Sequence, residues 1–169
     1  MIKKIKIDLI ISKIKLVVFD FDGVFTDNRV LVFPDGKEAV FCNRSDGLGL
    51  KLLKDKNIET FVISSEVNSI VSIRCKKLGI RCIQGVQNKL ETLEQEIKKM
   101  NISLKEVAYL GNDINDLDCL KKVGLPACVY DASPEIKKIC KYITKLPGGY
   151  GAVREFCDFI IGAKNAKIS

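Results

Sequence analysis

The chain has 169 residues, a length that favours a single domain whose core needs no disulfide or metal to hold it together. Its 28 basic and 21 acidic residues give a formal charge of +7. The lysines are spread through helical patterns and tryptophan is absent. We therefore expect solvated helix faces and a small anionic partner rather than a nucleic acid or a membrane.

The seven cysteines form no CxxC pair, and the chain has no histidine. This composition disfavours zinc sites, redox motifs and a disulfide framework, and it excludes Ser-His-Asp and Cys-His catalysis. Any catalysis has to use carboxylates, lysine, hydroxyls and a metal ion. The longest apolar run near the start covers only residues 9–11, so we expect no signal peptide, no spanning helix and a cytoplasmic protein.

The apolar run that begins at Leu16 predicts a strand of a parallel sheet that is buried on both faces. It leads into Asp20 and Asp22, which would share one face if the strand stayed extended that far. Ligands of open α/β sheets usually bind at the carboxyl ends of the strands. One carboxylate could attack a phosphorus atom while the other supplies a proton, with a hard cation holding both to the phosphate.

Strands and helices alternate along the rest of the chain. A hairpin is predicted at about residues 30–41, around a Pro-Asp-Gly turn. Strands are expected at 59–64, 81–83, 106–110, 127–129 and 142–143, and helices at about 46–56, 68–78, 89–100, 115–123, 134–140 and 151–161. This pattern predicts one α/β domain over residues 1–169, with a doubly wound, mostly parallel sheet between helices and a flexible tail at 162–169.

Four chemically distinct groups follow predicted strands or begin a predicted helix, and each meets a need of phosphoryl transfer. Asp20 and Asp22 provide a nucleophile and a proton donor. Ser64 and Lys89 provide a hydroxyl and an ammonium for the phosphoryl oxygens. The acidic loop at residues 111–116 adds oxygen ligands for Mg²⁺.

This ordered set resembles the haloacid dehalogenase superfamily of phosphatases, whose pattern is DxD, Ser or Thr, Lys and then an acidic loop. The resemblance implies that Asp20 is the nucleophile and Asp22 the general acid and base, both also Mg²⁺ ligands. It implies that Ser64 and Lys89 hold the phosphoryl group and that Asp116 orients Lys89. The implied fold is a Rossmann-like α/β sandwich.

Finer resemblance runs through the segments beginning at Asp20, Asn43, Ile73, Gln84 and Gly148. They are similar to a subfamily that contains the 3-deoxy-octulosonate 8-phosphate phosphatases and their nine-carbon, sialic-acid-type relatives. That resemblance implies no cap domain and a homotetramer in which the hairpin covers a neighbouring subunit's site. The short distance between the first and second motifs independently argues against a cap.

The same resemblance suggests which residues bind the sugar acid. Ser64 is followed by Ser-Glu rather than Gly-Arg, and Glu66 with Lys77 resembles the nine-carbon 9-phosphate phosphatases. Glu66 would bind sugar hydroxyls or an amine and Lys77 the carboxylate. An alternative interpretation makes Glu66 a helix-start charge and Lys77 a solvated helix residue. Arg74 and Asn43 are further candidates for substrate contacts.

One position departs from the pattern, because the first residue of the acidic loop is Asn112 where an aspartate usually ligates the metal. The amide of Asn112 could ligate Mg²⁺ with lower affinity, or Asp113 could replace it. A third alternative is lost catalysis, since related domains fused to animal CMP-sialate synthetases also lack that aspartate and serve assembly. We therefore expect a Mg²⁺-dependent phosphatase for a nonulosonate 9-phosphate, or next an octulosonate 8-phosphate, with a non-catalytic tetramerisation module as the alternative.

Overall fold

A computed structural model describes residues 2–165 of the chain. The strands are β1 (Leu16–Phe19), β2 (Leu31–Val32), β3 (Glu38–Ala39), β4 (Glu59–Ile63), β5 (Arg81–Ile83), β6 (Val107–Gly111), β7 (Leu125–Cys128) and β8 (Tyr142–Ile143). The α-helices are α1 (Ile2–Ile11), α2 (Ser45–Asp55), α3 (Ile70–Leu78), α4 (Lys89–Lys99), α5 (Leu117–Lys122), α6 (Pro134–Ile139) and α7 (Ala152–Asn165). Short 3₁₀ turns cover Leu104–Glu106 and Ile114–Asp116.

Six strands form one sheet in the order β5-β4-β1-β6-β7-β8, and every neighbouring pair is parallel. All four residues of β1 are buried, as expected for a strand covered on both faces by apolar side chains. The strand order reverses across β1, because the chain builds outward first through β4 and β5 and then through β6, β7 and β8. The prediction of a doubly wound α/β sandwich is therefore confirmed.

The carboxyl ends of the three central strands lie at one edge of the sheet. Asp20 follows β1, Ser64 follows β4 and Asn112 follows β6. The strand β1 ends at Phe19, and residues 22–25 form a turn rather than a continuation of the strand. An extended strand would have placed Asp20 and Asp22 on one face, but the strand ends before them. The position of Asp22 is therefore set by the turn.

The predicted hairpin is present, but its strands β2 and β3 have only two residues each. A turn at Gly36, where φ is +81°, connects them, and the backbone N–H of Phe33 donates to the carbonyl of Lys37 at 2.8 Å. The hairpin is separate from the main sheet and exposes apolar side chains such as Val32 and Phe41. Within residues 2–165 no further domain covers the carboxyl edge, which confirms the capless architecture.

The two ends of the chain differ from the predictions. The first residues, which the sequence analysis assigned to no element, form α1, and the Lys164 ammonium donates to the carbonyl of Ile14 at 2.8 Å. The last helix continues to Asn165, so residues 162–165 are helical rather than part of a flexible tail. Residues 166–169 lie outside the described part. Among the described helices none has the length and apolar character needed to cross a bilayer.

Candidate active site

A cavity of about 370 Å³ opens at the carboxyl edge of the sheet, beside the ends of β1, β4 and β6. Its walls come from three loops and contain several of the predicted site residues. The lining residues are Asp20, Asp22, Asn28, Ser64, Ser65, Glu66, Val67, Asn112, Asp113, Ile114 and Asn115. The parallel sheet therefore brings the DxD segment, the serine loop and the acidic loop to one place, as the motif order predicts.

Asp20 is almost completely buried, and one of its carboxylate oxygens is held by two donors. Oδ1 accepts from the backbone N–H of Phe21 at 2.7 Å and contacts the Lys89 ammonium at 2.8 Å. Among the described residues no donor reaches Oδ2, so that oxygen is available to a reacting atom in the cavity. Burial, and then the charge of Asp116, raise the pKa of Asp20 to about 7, and a divalent cation beside it would favour the ionised nucleophile.

Lys89 is buried at the start of α4 and lies between two carboxylates. Its Nζ is 2.8 Å from Asp20 Oδ1 and 2.8 Å from Asp116 Oδ1. Burial by itself would lower the pKa of Lys89, but the charges of the two aspartates outweigh it and raise that pKa. The ammonium therefore stays charged beside Asp20, where it could bind an anionic group in the cavity.

The Asp116 carboxylate is fully buried and is fixed through both of its oxygens. Oδ1 accepts from Lys89 and from the hydroxyl of Tyr109 at 2.8 Å, while Oδ2 accepts from the backbone N–H of Asn112 at 3.0 Å. Gly111 leaves the space that this carboxylate occupies, because a Cβ at that position would overlap it. Asp116 thus contacts Lys89 directly, and its orienting role toward Lys89 stays a prediction.

Ser64 is buried at the end of β4 and belongs to a tightly bonded loop. Its backbone N–H donates to Ile83 of the neighbouring strand at 2.9 Å, and its Oγ accepts from the backbone N–H of Glu66 at 3.1 Å. Glu66 itself is exposed, and its Oε1 accepts from the backbone N–H groups of Val67 at 2.7 Å and Asn68 at 2.8 Å. One oxygen of Glu66 therefore shapes the loop, while the side chain also lines the cavity.

The wall formed by Asp22 and Glu66 is acidic. Burial, and then the charge of Glu66, raise the pKa of Asp22 above its ordinary value. A carboxyl with a raised pKa is suited to hold a proton for a leaving group. The position of Asp22 in the turn beside Asp20 thus fits the predicted acid and base role.

The two candidate metal ligands of the acidic loop, Asn112 and Asp113, have different surroundings. Asn112 is half-buried and packs so closely on Gly23 that a Cβ there would overlap its side chain. Asp113 is exposed, and its Oδ1 caps the following 3₁₀ turn by accepting from the backbone N–H of Ile114 at 2.8 Å. Within the described residues no three His, Cys, Asp or Glu side chains are grouped so that they could hold a metal ion.

Three predicted substrate-binding residues do not line the cavity of their own chain. The Asn43 side chain accepts from the backbone N–H of Ser45 at 2.9 Å, and the backbone carbonyl of Asn43 accepts from Arg74 Nη2 at 2.9 Å. Arg74 also faces the buried Asp46, whose pKa it lowers against a larger raising effect of burial. Lys77 is exposed in the last turn of α3. Substrate contacts by these three residues stay a prediction.

Two residues of the site were missed by the sequence analysis. Asn28 lines the cavity in a left-handed backbone conformation with φ of +64°. Tyr109 lies in a strand that is buried on both faces, and a buried hydroxyl needs a hydrogen-bond partner. This requirement could have identified Tyr109 from the sequence, whereas the position of Asn28 depends on the turn after β1.

Comparisons with known proteins agree with this geometry. The profile of the haloacid dehalogenase-like hydrolases matches residues 50–154. The chain is 37% identical over 154 residues to the 3-deoxy-D-manno-octulosonate 8-phosphate phosphatase of Salmonella typhi, covering 90% of this chain and 82% of that protein. The crystal structure of the corresponding Moraxella catarrhalis phosphatase, in complex with a magnesium ion, a phosphate ion and KDO, has a TM-score of 0.90 at 35% identity, covering 96% of this chain and 95% of that one. A cobalt-bound Haemophilus influenzae phosphatase gives a TM-score of 0.88 at 30% identity, with 92% of each chain covered.

Proposed function

The chain belongs to the haloacid dehalogenase-like hydrolases and is a phosphoric monoester hydrolase of that family. On this premise we propose that it removes the terminal phosphate from a 2-keto-3-deoxy sugar acid. The observation that carries the proposal is the buried Asp20–Lys89–Asp116 arrangement beside the cavity. It combines a carboxylate oxygen free to attack with an ammonium fixed beside it, which is the pairing that phosphoryl transfer to a carboxylate requires.

The proposed reaction has two displacements at phosphorus. Asp20 Oδ2 attacks the phosphorus, the bond to the sugar oxygen breaks, and Asp22 gives its proton to that leaving oxygen. Asp22 then accepts a proton from a water molecule that attacks the aspartyl-phosphate, releasing inorganic phosphate and restoring Asp20. Lys89 and Ser64 bind the phosphoryl oxygens, where negative charge accumulates in both transition states.

We assign the Mg²⁺ site to Asp20, Asp22 and Asn112, with Asp113 left in its capping role. The donors are all oxygens, which suits a hard cation, and the close packing of Asn112 on Gly23 holds its amide beside the DxD turn. The cation, when bound, neutralises charge on the phosphoryl oxygens. The relative with magnesium and phosphate bound supports a magnesium site in this fold, since the match covers nearly the whole chain.

The substrate's chain length is proposed from Glu66. Its Oε1 is occupied by the loop backbone, whereas the side chain lies in the cavity wall, where the remaining oxygen can bind a sugar hydroxyl or amine. We favour a nonulosonate 9-phosphate because Glu66, together with Lys77, resembles the nine-carbon 9-phosphate phosphatases. The octulosonate 8-phosphate named for the relatives is the alternative of the same class.

We further propose a homotetramer in which the hairpin contributes to the covering of a neighbouring site. Leu31, Val32 and Phe41 are 54%, 64% and 71% exposed on the hairpin, an apolar surface that is unusual for an isolated chain. Arg74 and Lys77 do not line the cavity of their own chain, so in this tetramer they could contact a substrate bound to an adjacent subunit.

The test compares hydrolysis of nonulosonate 9-phosphate and of octulosonate 8-phosphate, each with Mg²⁺ and with a chelator. The release of inorganic phosphate is the quantity measured. We expect turnover of both that is lost with chelator, and a higher kcat/KM for the nine-carbon compound. Glu66→Gln, which keeps an oxygen for the loop but removes the charge, should reduce that preference, while Glu94→Gln on exposed α4 should not. Folded protein that turns over neither compound contradicts the proposal.

A second candidate is a non-catalytic tetramerisation module for a CMP-sugar-acid synthetase, and Asn112 is the observation that favours it. Asp20→Asn separates the two candidates because it removes the nucleophile with almost no change of shape. An enzyme loses turnover in this variant, whereas a module never had it and keeps its assembly. Wild-type turnover that Asp20→Asn abolishes would exclude the module as the sole function.

A further inference from the structure

Tyr109 is a buried residue of β6 that takes no part in the reaction proposed above, yet its hydroxyl ends inside the charged cluster. It donates to Asp116 Oδ1 at 2.8 Å, the same oxygen that lies 2.8 Å from Lys89 Nζ. Lys89 Nζ in turn lies 2.8 Å from Asp20 Oδ1. Four side chains therefore form one continuous chain of polar contacts from the middle of the sheet to the nucleophile.

We propose that Tyr109 is a positioning residue for phosphoryl transfer, whose hydroxyl fixes the Asp116 carboxylate so that Asp116 holds the Lys89 ammonium against Asp20. This inference rests on the proposed phosphatase function. Among the described residues the Tyr109 hydroxyl bonds to Asp116 and not to Asp20, and Tyr109 does not line the cavity, so its effect is expected to pass through Asp116.

The contacts of Asp116 explain why one more donor matters. Oδ2 accepts from the backbone of Asn112 at 3.0 Å and from that of Asp113 at 3.5 Å, which fixes one end of the carboxylate. Oδ1 has only Lys89 and Tyr109 as partners among the described residues. Without the Tyr109 hydroxyl, the sole partner of Oδ1 is the flexible lysine whose position it is meant to define.

The tyrosine is suited to this role because it is a constant donor on a rigid element. Burial, and then the charge of Asp116, raise the pKa of Tyr109 well above its ordinary value, so the hydroxyl keeps its proton throughout the working pH range. The side chain belongs to a central strand whose five residues are all buried. Supporting groups locked by packing in this way keep reacting groups within the narrow tolerance that catalysis needs.

The test compares Tyr109→Phe with Tyr142→Phe, which removes an equivalent hydrogen bond elsewhere. The Tyr142 hydroxyl donates to Glu155 Oε1 at 2.8 Å at the β8 edge of the sheet, outside the cavity. We expect Tyr109→Phe to lower kcat about tenfold with KM changed less than about twofold, because the ammonium is misplaced mainly for the transition state. We expect Tyr142→Phe to keep both constants near wild type. Thermal melts of both variants report any loss of fold separately from activity.

A double-mutant cycle with Asp116→Asn shows whether the effect passes through Asp116. If it does, Tyr109→Phe lowers kcat about tenfold in wild type but by less than about threefold in the Asp116→Asn background. Equal effects in both backgrounds, or Tyr109→Phe kinetics that match Tyr142→Phe, would overturn the inference while leaving the phosphatase function intact. Absence of turnover by the wild type on sugar-acid phosphates and on p-nitrophenyl phosphate would instead refute the function, and the inference with it.

Discussion

Replacing Asn112 by aspartate should tighten Mg²⁺ binding, because it restores a negative charge beside the proposed cation. The change is nearly isosteric, so the close packing of position 112 on Gly23 is kept. The backbone N–H of residue 112 still donates to Asp116, which means that the orienting network is not disturbed. The perturbation is therefore almost purely electrostatic.

The size of the effect follows from charge and burial. One unit charge 4 Å from another interacts by about 4 kcal/mol at an effective dielectric constant near 20, and a divalent cation doubles this before hydration of the new carboxylate is subtracted. Since that hydration offsets most of the gain, we expect tightening of about 10- to 100-fold, or about 1.4–2.8 kcal/mol. Without cation the new charge faces Asp20 and Asp22 in the same cavity, so the metal-free variant should melt a few degrees below wild type.

Isothermal titration with Mg²⁺, supported by thermal melts with Mg²⁺ and with chelator, measures both effects. The matched variant is Asp113→Asn, which changes the adjacent residue in the opposite direction. Because Asp113 caps the 3₁₀ turn, its replacement should leave the Mg²⁺ dissociation constant within about threefold of wild type. An unchanged titration for Asn112→Asp together with weaker binding by Asp113→Asn would show that Asp113 is the ligand and that our assignment is wrong.

Three further predictions test the fold around the site. Burial raises the folded-state pKa of Asp46 from 3.8 to about 7, so the stability linked to its proton is lost as pH rises from about 4 to 7. In denaturant titrations, Asp46→Asn should therefore match the stability of wild type near pH 4 and exceed it by on the order of 4 kcal/mol above pH 7. A pH-independent difference would contradict this. Gly111→Ala should lower kcat by at least about 100-fold in phosphate-release assays, since its Cβ would displace the Asp116 carboxylate; wild-type kcat would show that the carboxylate can move freely. The double variant Val32→Asp with Phe41→Asp should be a folded monomer by light scattering, because both side chains are exposed on the hairpin; an intact tetramer would place the interface elsewhere.

The sequence was sufficient to predict the fold and the strand ends at which the candidate reacting residues meet, because both depend on strong local patterns. Buried strands that alternate with helices require a parallel sheet, and the ends of its central strands bring Asp20 and Ser64 to one cavity. Lys89 could be placed only by its match to the motif, since a lysine at the start of an amphipathic helix is usually solvated. The structure shows why it is buried: Asp20, which follows β1, and Asp116, in the 3₁₀ turn after β6, compensate its charge.

Features that depend on loop geometry or on other subunits could not be obtained from the pattern. The helix at the start of the chain has weak amphipathic character, so its packing against α7 had no clear signature in the sequence. The turn after β1 gives Asn28 its place in the cavity through a left-handed backbone that several residues could adopt. Lys77 was assigned to substrate binding by resemblance. The structure of a single chain does not test a contact between Lys77 and a substrate in a neighbouring subunit.

The charge balance of the site explains why the identity of one loop residue matters so much. Asp20 and Asp116 each contact the Lys89 ammonium, and Asp22 lines the same cavity as Asp20. A phosphate monoester carries about two negative charges of its own, so it would enter a site with excess negative charge. We therefore expect a bound divalent cation to aid substrate binding as well as the chemistry. If Asn112 is the ligand, as we propose, its amide would lower affinity for that cation and would also lower the repulsion toward the incoming phosphate. An amide at this position would then change the balance between metal and substrate affinity without removing any group that reacts.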